Sequence, residues 1–264
     1  MKVKAMVLRA AGTNCDVETA YAFELAGAQA ARVHINELVR REKSLSEVQI
    51  LAIPGGFTYG DDVAAGKILA NELKYKLSDE IGRFVEEGKL ILGICNGFQV
   101  LVKAGLLPEW KDGPSGQQVT LTFNDSGRYE DRWVVLAKEQ NSRCVFVEGI
   151  EETIYLPVAH AEGKFVPADG KVLAELERRG QVVFRYVDER GARASYPWNP
   201  NGSVGNIAGI CDPTGRIFGL MPHPERHILP TQHPRWTREG LQERGAGRII
   251  FENAVRVVRE QVGM

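Results

Sequence analysis

The chain has 264 residues, with Lys+Arg 33 against Asp+Glu 34 and a formal charge of −1, enough for one large domain or two small ones. Hydrophobic residues at 44% and charged residues at 25% match an ordinary soluble globular protein. The near-neutral balance excludes the basic surface that non-specific nucleic-acid or anionic-membrane binding needs, so neither partner is expected.

No apolar run approaches the ~18 residues of a spanning helix. Only four apolar residues separate Lys4 from Arg9, where a signal-peptide core needs ~7–15, so a cytoplasmic protein is expected. Cys15, Cys95, Cys144 and Cys211 lie dozens of residues apart without a C-x-x-C pair. That argues against a zinc ribbon or thioredoxin-type site, and a reducing compartment argues against a disulfide framework.

In chain order, Val3–Leu8 is a short apolar run of strand length, followed by the loop Gly12-Thr13-Asn14-Cys15 and a helical pattern ending at Gly27. Ala31–Ile35 and Gln49–Ile53 read as strands, the second stopping at the turn Pro54-Gly55-Gly56. From Asn71 to Gly88, Leu73, Leu77, Ile81 and Phe84 recur at helical spacing. Leu90–Ile94 is continuously apolar, as a central parallel strand covered on both faces should be, and it runs into Cys95 and the helical stretch Phe98–Ala104.

The second half reads as strands separated by Gly, Asp and Asn turns: Val119–Phe123, Trp133–Leu136, Thr153–Val158, Gln181–Val187 and Arg216–Leu220. An amphipathic helix over Gly245–Val262 ends the chain. The pattern predicts an α/β fold, a doubly wound, mostly parallel sheet with helices on both faces and antiparallel additions. It is read as a single domain over 1–264, in which 226–264 forms an extension plus terminal helix.

Three motifs fall where strands end, the place where open α/β sheets bind ligands. In Gly93-Ile94-Cys95-Asn96-Gly97, small residues flank a cysteine at a strand-to-helix turn, the setting of a nucleophile elbow. The helix N-terminus favours the thiolate, and the Asn96 N–H is placed for an oxyanion hole. The same turn also suits a buried structural cysteine. In Pro222-His223-Pro224-Glu225, Pro224 biases His223 toward extended backbone, which would turn His223 and Glu225 to one side as a general acid/base and its orienting carboxylate. A surface ion pair would use the same residues. His227 could extend the pair toward a metal, but the H-E-x-x-H helix is missing and Pro224 opposes it, so no metal is expected. Pro54-Gly55-Gly56-Phe57 can aim the Gly56 N–H into the same region as a second oxyanion donor.

Together these motifs resemble the class I, triad-type glutamine amidotransferases, over nearly the whole chain. The resemblance rests on Gly12-Thr13-Asn14-Cys15-Asp16, PGGFTYGDDVAAGKILA from Pro54, GICNGFQVLVKAGLLP from Gly93, AHAEGKF from Ala159, YPWNPNGSVGNIAGI from Tyr196 and MPHPER from Met221. The Gly-Phe-Thr-Tyr-Gly-Asp-Asp and Asn-Pro-Asn-Gly-Ser stretches point to the branch serving purine biosynthesis.

The resemblance implies that Cys95 is the nucleophile, His223 the acid/base and Glu225 its partner. It implies that Gln99 contacts the substrate, with an exposed polar residue as the alternative, and that His160, Glu162 and Gly163 lie near the glutamine pocket. It further implies hydrolysis of L-glutamine to glutamate and ammonia through a cysteinyl thioester. The ammonia would serve an ATP-dependent synthetase making formylglycinamidine ribonucleotide.

G-x-x-x-x-G-K-[ST] is absent. No cofactor is therefore expected here, and ATP and Mg would belong to a large PurL-type synthetase subunit, bridged by a small PurS-type accessory subunit. A DJ-1/PfpI-like enzyme, a γ-glutamyl hydrolase and a non-catalytic scaffold are the rivals. Two departures from the family appear: Ala10-Ala11 replaces an aromatic-proline pair, and Trp198 stands where a smaller residue is usual. Residues 226–244 read as a solvated, Arg-rich loop with docking on a partner as the alternative. Cys15, in a loop before a helix, is a rival nucleophile in principle, but it lacks a nearby His-x-Glu and, lying opposite another strand, is expected to serve structure.

Overall fold

The structure is a computed structural model, which describes residues 2–110, 116–150, 153–261 and 263. In chain order it forms β1 (Lys4–Arg9), α1 (Asp16–Leu25), β2 (Gln29–His34), α2 (Ile35–Val39), β3 (Ile50–Ile53), α3 (Lys67–Lys76), α4 (Ser78–Glu86), β4 (Leu90–Ile94) and α5 (Asn96–Ala104). There follow β5 (Val119–Thr122), β6 (Glu130–Lys138), β7 (Thr153–His160), β8 (Lys164–Pro167), α6 (Gly170–Arg178), β9 (Val182–Val187), β10 (Ile207–Cys211), β11 (Ile217–Leu220), α7 (Trp236–Glu239) and α8 (Arg248–Gln261). The expected end of the last helix, Val262, lies outside the described residues. None of the described helices is long and apolar enough to cross a membrane.

Nine strands form one sheet in the order β2-β1-β3-β4-β11-β10-β9-β6-β7. β1 to β4 run parallel; the cores of β1, β3 and β4, such as LILGI in β4, are apolar and buried on both faces, while the edge strand β2 is mostly exposed. β9, β10, β6 and β7 are antiparallel additions. β11 differs from the expectation. It pairs antiparallel with β10 but parallel with β4, so it joins the two halves and delivers its C-terminal end beside that of β4. β5 also departs, leaving the main sheet to pair with β8 in a small two-stranded sheet.

The helix expected over 71–88 is two helices. The chain turns at Leu77, whose φ of −125° is not helical, and this lets Leu73, Leu77, Ile81 and Phe84 all reach the core. β10 and α6 had no counterpart in the sequence reading. Asp169 caps α6, its Oδ1 accepting the N–H groups of Lys171 (2.8 Å) and Val172 (2.9 Å). α8 packs on α1 through an edge-to-face pair of Phe23 and Phe251 with centroids 5.0 Å apart.

Candidate active site

Strand register gathers the motifs at one end of the sheet. Ile53 of β3 lies opposite Gly93 of β4, and Ile94 lies opposite Leu220 of β11. Gly56, Cys95 and His223 therefore emerge one to three residues beyond Ile53, Ile94 and Leu220. The His223 N–H donates to Pro157 O (2.8 Å), which brings in β7 from the antiparallel half.

Between β4 and α5, Cys95 adopts φ 51° and ψ −105°, an uncommon backbone conformation for a residue with a side chain. The flanking glycines make the turn. A Cβ on Gly97 would stand 1.8 Å from Ile53 O, and one on Gly93 would stand 2.5 Å from Leu101 Cδ1. The nearly buried Cys95 sulfur lies 3.8 Å from Ala159 O.

Asn96 does more than offer its N–H. Its Oδ1 accepts from Thr58 Oγ1 (2.7 Å), and its Nδ2 donates to Asp61 Oδ1 (3.0 Å) and Gln99 Oε1 (3.1 Å). This locks the Gly56–Asp61 loop to the start of α5. Gln99 is buried rather than exposed. Its Nε2 donates to Glu162 O (2.6 Å), while Glu162 Oε2 accepts from Ala65 N (3.3 Å).

Gly56 has φ 149°, and a Cβ there would lie 2.8–2.9 Å from the backbone of residues 12–14. The bridge between Thr13 and Gly56 is closed by Cys15 N–H to Gly55 O (3.2 Å) and Phe57 N–H to Gly12 O (3.0 Å). The Gly56 N–H is not used by it.

His223 Nδ1 donates to Glu225 Oε1 at 2.6 Å, and both side chains are buried. His223 is extended, as Pro224 requires, but Glu225 sits in a 3₁₀ turn over Pro224–Arg226. That turn, rather than a continued strand, closes the pair. Nε2 of His223 and Oε2 of Glu225 have no hydrogen-bond partner among the described residues. Burial lowers the basicity of His223, but the charges of Glu225 and Cys95 and hydrogen bonding from both nearby thiols outweigh it, holding the imidazole well above its usual pKa.

Cys15, which the sequence reading gave no nearby His-x-Glu, in fact lies against that pair. Its sulfur lies 4.0 Å from His223 Nδ1, approaches Arg226 Nη2 at 3.1 Å and donates to Asn14 Oδ1 (3.2 Å). Burial is the main cause of a raised thiol pKa there. The contact crosses 208 residues of sequence, which no local pattern reveals.

His160 is buried, and neither ring nitrogen has a partner among the described residues. Burial, with the charge of His223, depresses its pKa to about 3, so the ring is neutral. It lies flat on Gly163, where a Cβ would come within 2.3 Å of the ring.

A model of the CobB/CobQ-like glutamine amidotransferase domain matches residues 2–258. A phosphoribosylformylglycinamidine synthase subunit PurQ of Dehalococcoides mccartyi is 54% identical over 262 residues, covering 98% of this chain and 99% of that protein. The chain belongs to the PurQ family. A PurQ of Methanococcus maripaludis is 46% identical, with 97% and 98% of the two chains covered. A solved structure of PurLQS from Thermotoga maritima superposes with a TM-score of 0.75 at 32% identity, over 98% of this chain and 100% of that one. The fold is that of the class I glutamine amidotransferases, and the chain is a glutamine-hydrolysing amidotransferase subunit of phosphoribosylformylglycinamidine synthesis.

Several residues at the site of this PurQ-family chain escaped the sequence reading. Asn124 fixes the 160–163 turn, donating to His160 O (2.8 Å) and accepting from Gly163 N (3.0 Å). Asn201 donates to Gly163 O (2.9 Å), and Ser203 Oγ accepts from Phe165 N (3.0 Å). The Asn-Pro-Asn-Gly-Ser stretch that contains these last two was visible as a motif, and its role is to brace that turn. Phe57 and Tyr129, both exposed, stack with centroids 6.4 Å apart. Burial and then the charge of Cys95 raise the pKa of Tyr129.

Part of the 226–244 segment is anchored rather than solvated. His227 meets Tyr155 O at 2.7 Å, and its ring and that of His233 pack on Trp133. Trp198 lines a neighbouring cavity with Trp133 and Tyr155.

Proposed function

We propose that Cys95, His223 and Glu225 are the catalytic triad of this glutamine amidotransferase. The observation that carries the reading is a cysteine on a strained strand–helix turn, at the same sheet end as a buried His–Glu pair whose Nε2 is left open.

The Cys95 thiolate attacks the side-chain carboxamide carbon of L-glutamine. The Gly56 and Asn96 N–H groups receive the oxyanion, and losing one such donor costs roughly 10²–10³ in rate. Protonated His223 gives its Nε2 proton to the leaving ammonia, forming a γ-glutamyl thioester on Cys95. Neutral His223 then takes a proton from water, whose oxygen attacks the thioester and releases glutamate. Glu225 holds the ring by Nδ1 throughout, keeping Nε2 toward the sulfur. Gln99, His160, Glu162 and Gly163 form the wall against which glutamine is held, the neutral His160 ring offering one donor and one acceptor.

Ammonia released into neutral water would be protonated and lost as a nucleophile, so the product must pass directly to an acceptor site. We assign that site to a large PurL-type synthetase subunit, with ATP and Mg bound there, and bridging to a small PurS-type subunit. Kinship with the PurLQS structure supports this.

The test is peptide mass spectrometry after treatment with a glutamine-like diazoketone, alone and with the synthetase. One adduct on Cys95, suppressed by excess glutamine, is expected. An adduct on Cys15 would reassign the nucleophile, and no adduct in either state would end the catalytic reading.

A further inference from the structure

The proposed mechanism uses Glu225 and both ring nitrogens of His223 but has no task for Cys15. Yet one donor atom each from Cys15, His223 and Glu225 lies within 4.8 Å of the others, and all three residues are buried. Sulfur and Nδ1 are 4.0 Å apart, Nδ1 and Oε1 are 2.6 Å apart, and Oε2 of the fully buried Glu225 has no partner among the described residues. Gly55 covers the cluster, since a Cβ there would stand 2.7 Å from His223 Cε1 and 3.2 Å from the Cys15 sulfur. Asn14 Oδ1 accepts from the thiol at 3.2 Å, and Arg226 Nη2 stands 3.1 Å from it.

We propose that Cys15, His223 and Glu225 form an inhibitory site for a thiophilic divalent cation of the zinc type, which silences the glutaminase by occupying Nδ1 of His223. The inference rests on the reading of His223 as the acid/base for Cys95.

Thiolate, imidazole and carboxylate are the donor set that Zn²⁺ and Co²⁺ accept together. Tetrahedral bonds of about 2.0–2.3 Å set neighbouring donors about 3.3–3.6 Å apart. The observed 2.6 and 4.0 Å fall on either side of that spacing and the widest of the three distances lies within 4.8 Å, so the site forms when the ring moves from Glu225 toward Cys15 and the thiol and carboxylate close on the ion. Asn14 Oδ1 or a water supplies the fourth ligand.

Starting from the imidazolium, binding releases two protons, one from the Cys15 thiol and one from Nδ1, with no change in oxidation state. The neutral ring that remains carries its proton on Nε2, facing Cys95. With Nδ1 on the metal, that ring can accept no further proton, so the imidazolium that protonates the leaving ammonia no longer forms and the general-base step on water stops. Arg226, whose side chain is 38% exposed, is the electrostatic plug. Its guanidinium occupies the sulfur's outer side and repels an arriving cation.

Co²⁺ is the probe, added to reduced full-length protein. In Cys95→Ala, which removes the catalytic thiol, we expect one Co²⁺ per chain with a thiolate-to-cobalt absorption band and tetrahedral visible bands. Cys15→Ser in that background abolishes the thiolate band, and Zn²⁺ displaces the cobalt. Zn²⁺ also raises the melting temperature of Cys95→Ala but not that of Cys95→Ala/Glu225→Gln, a second variant that does not depend on changing Cys15.

In the wild type, Zn²⁺ inhibits reversibly on chelation. Arg226→Ala lowers the inhibiting concentration, and Cys15→Ser raises it about 10-fold or more, each measured against its own metal-free rate. A band that survives Cys15→Ser but disappears in Cys95→Ala would overturn the proposal by placing the metal between Cys95 and Nε2. The absence of any thiolate band would overturn it as well. A Cys15-dependent band in a protein without glutaminase activity would keep the metal site and remove the catalytic reading, so the two fail separately.

Discussion

Two thiols flank one imidazole, and they are not equivalent. Cys95 sits on a strained backbone (φ 51°, ψ −105°) at the end of a central strand, with the first N–H groups of α5 beside it. Cys15 sits at the start of α1 with φ −105° and ψ 17°, an unstrained conformation. It lies against Nδ1, the nitrogen already bound to Glu225, and its reach is taken up by Asn14 and Arg226. Nearness to a histidine therefore does not make a nucleophile. In the proposed mechanism the elbow's position and the open Nε2 do, and a cysteine on the other edge of the ring is left to tune or block it.

The comparison is broken most directly by removing each thiol. Cys95→Ala should lower glutamine hydrolysis by about 10⁴-fold or more, as loss of a triad nucleophile does. Cys15→Ser should cost less than about 10-fold in kcat, within the range of removing a neighbouring hydrogen-bond partner. Steady-state ammonia release in the assembled complex measures both, and equal losses would dissolve the distinction.

Next in size is Glu225→Gln, which keeps the shape but no longer fixes the Nδ1–H tautomer. A drop of about 10²–10⁴ in kcat with little change in KM is expected. The pKa of His223 should also fall, since the Glu225 charge is the largest influence holding it up. NMR titration of the imidazole reads that shift.

The elbow's backbone is tested by Gly97→Ala. A methyl 1.8 Å from Ile53 O cannot be accommodated without moving β3 or α5. Destabilisation of about 2–4 kcal/mol in denaturant unfolding is expected, whereas Ala at the open Gly82 should be near neutral.

The smallest effect concerns His160. Its folded pKa of about 3 lies below the unfolded value near 6.5, so the unfolded chain binds the extra proton first. The stability this gives is complete above pH 6.5 and declines as pH falls toward 3. His160→Gln should flatten the dependence of unfolding free energy on pH within that window. An unchanged slope would mean that the ring is not buried and neutral.

Much of the parallel half was legible because continuous apolar strands, glycine stops and helical spacing agree there. Leu90–Ile94 is bounded in the structure as in the sequence. β10 escaped because its IAGIC core is short, interrupted by Gly209 and embedded in a long loop. α6 escaped although Asp169 and the spacing of Val172 and Leu176 carried its signal. At the site, the motifs led to Cys95, His223, Glu225 and Gly56 through local backbone chemistry. The placement of Cys15 against His223 depends on the loops after β1 and β11 meeting over the ends of β3 and β4, which is a property of topology and not of any window of residues.

The sheet order has a consequence for synthesis. β11, drawn from residues 217–220, lies between β4 and β10. Until the ribosome has released it, β4 carries a bare apolar edge, the kind of template that recruits other chains. The first ninety-four residues can lay down their parallel strands early, but that edge stays open until most of the polypeptide has been made. His223, the proposed acid/base, follows the closing strand by three residues, so the seam is sealed and this histidine delivered in the same late step of folding.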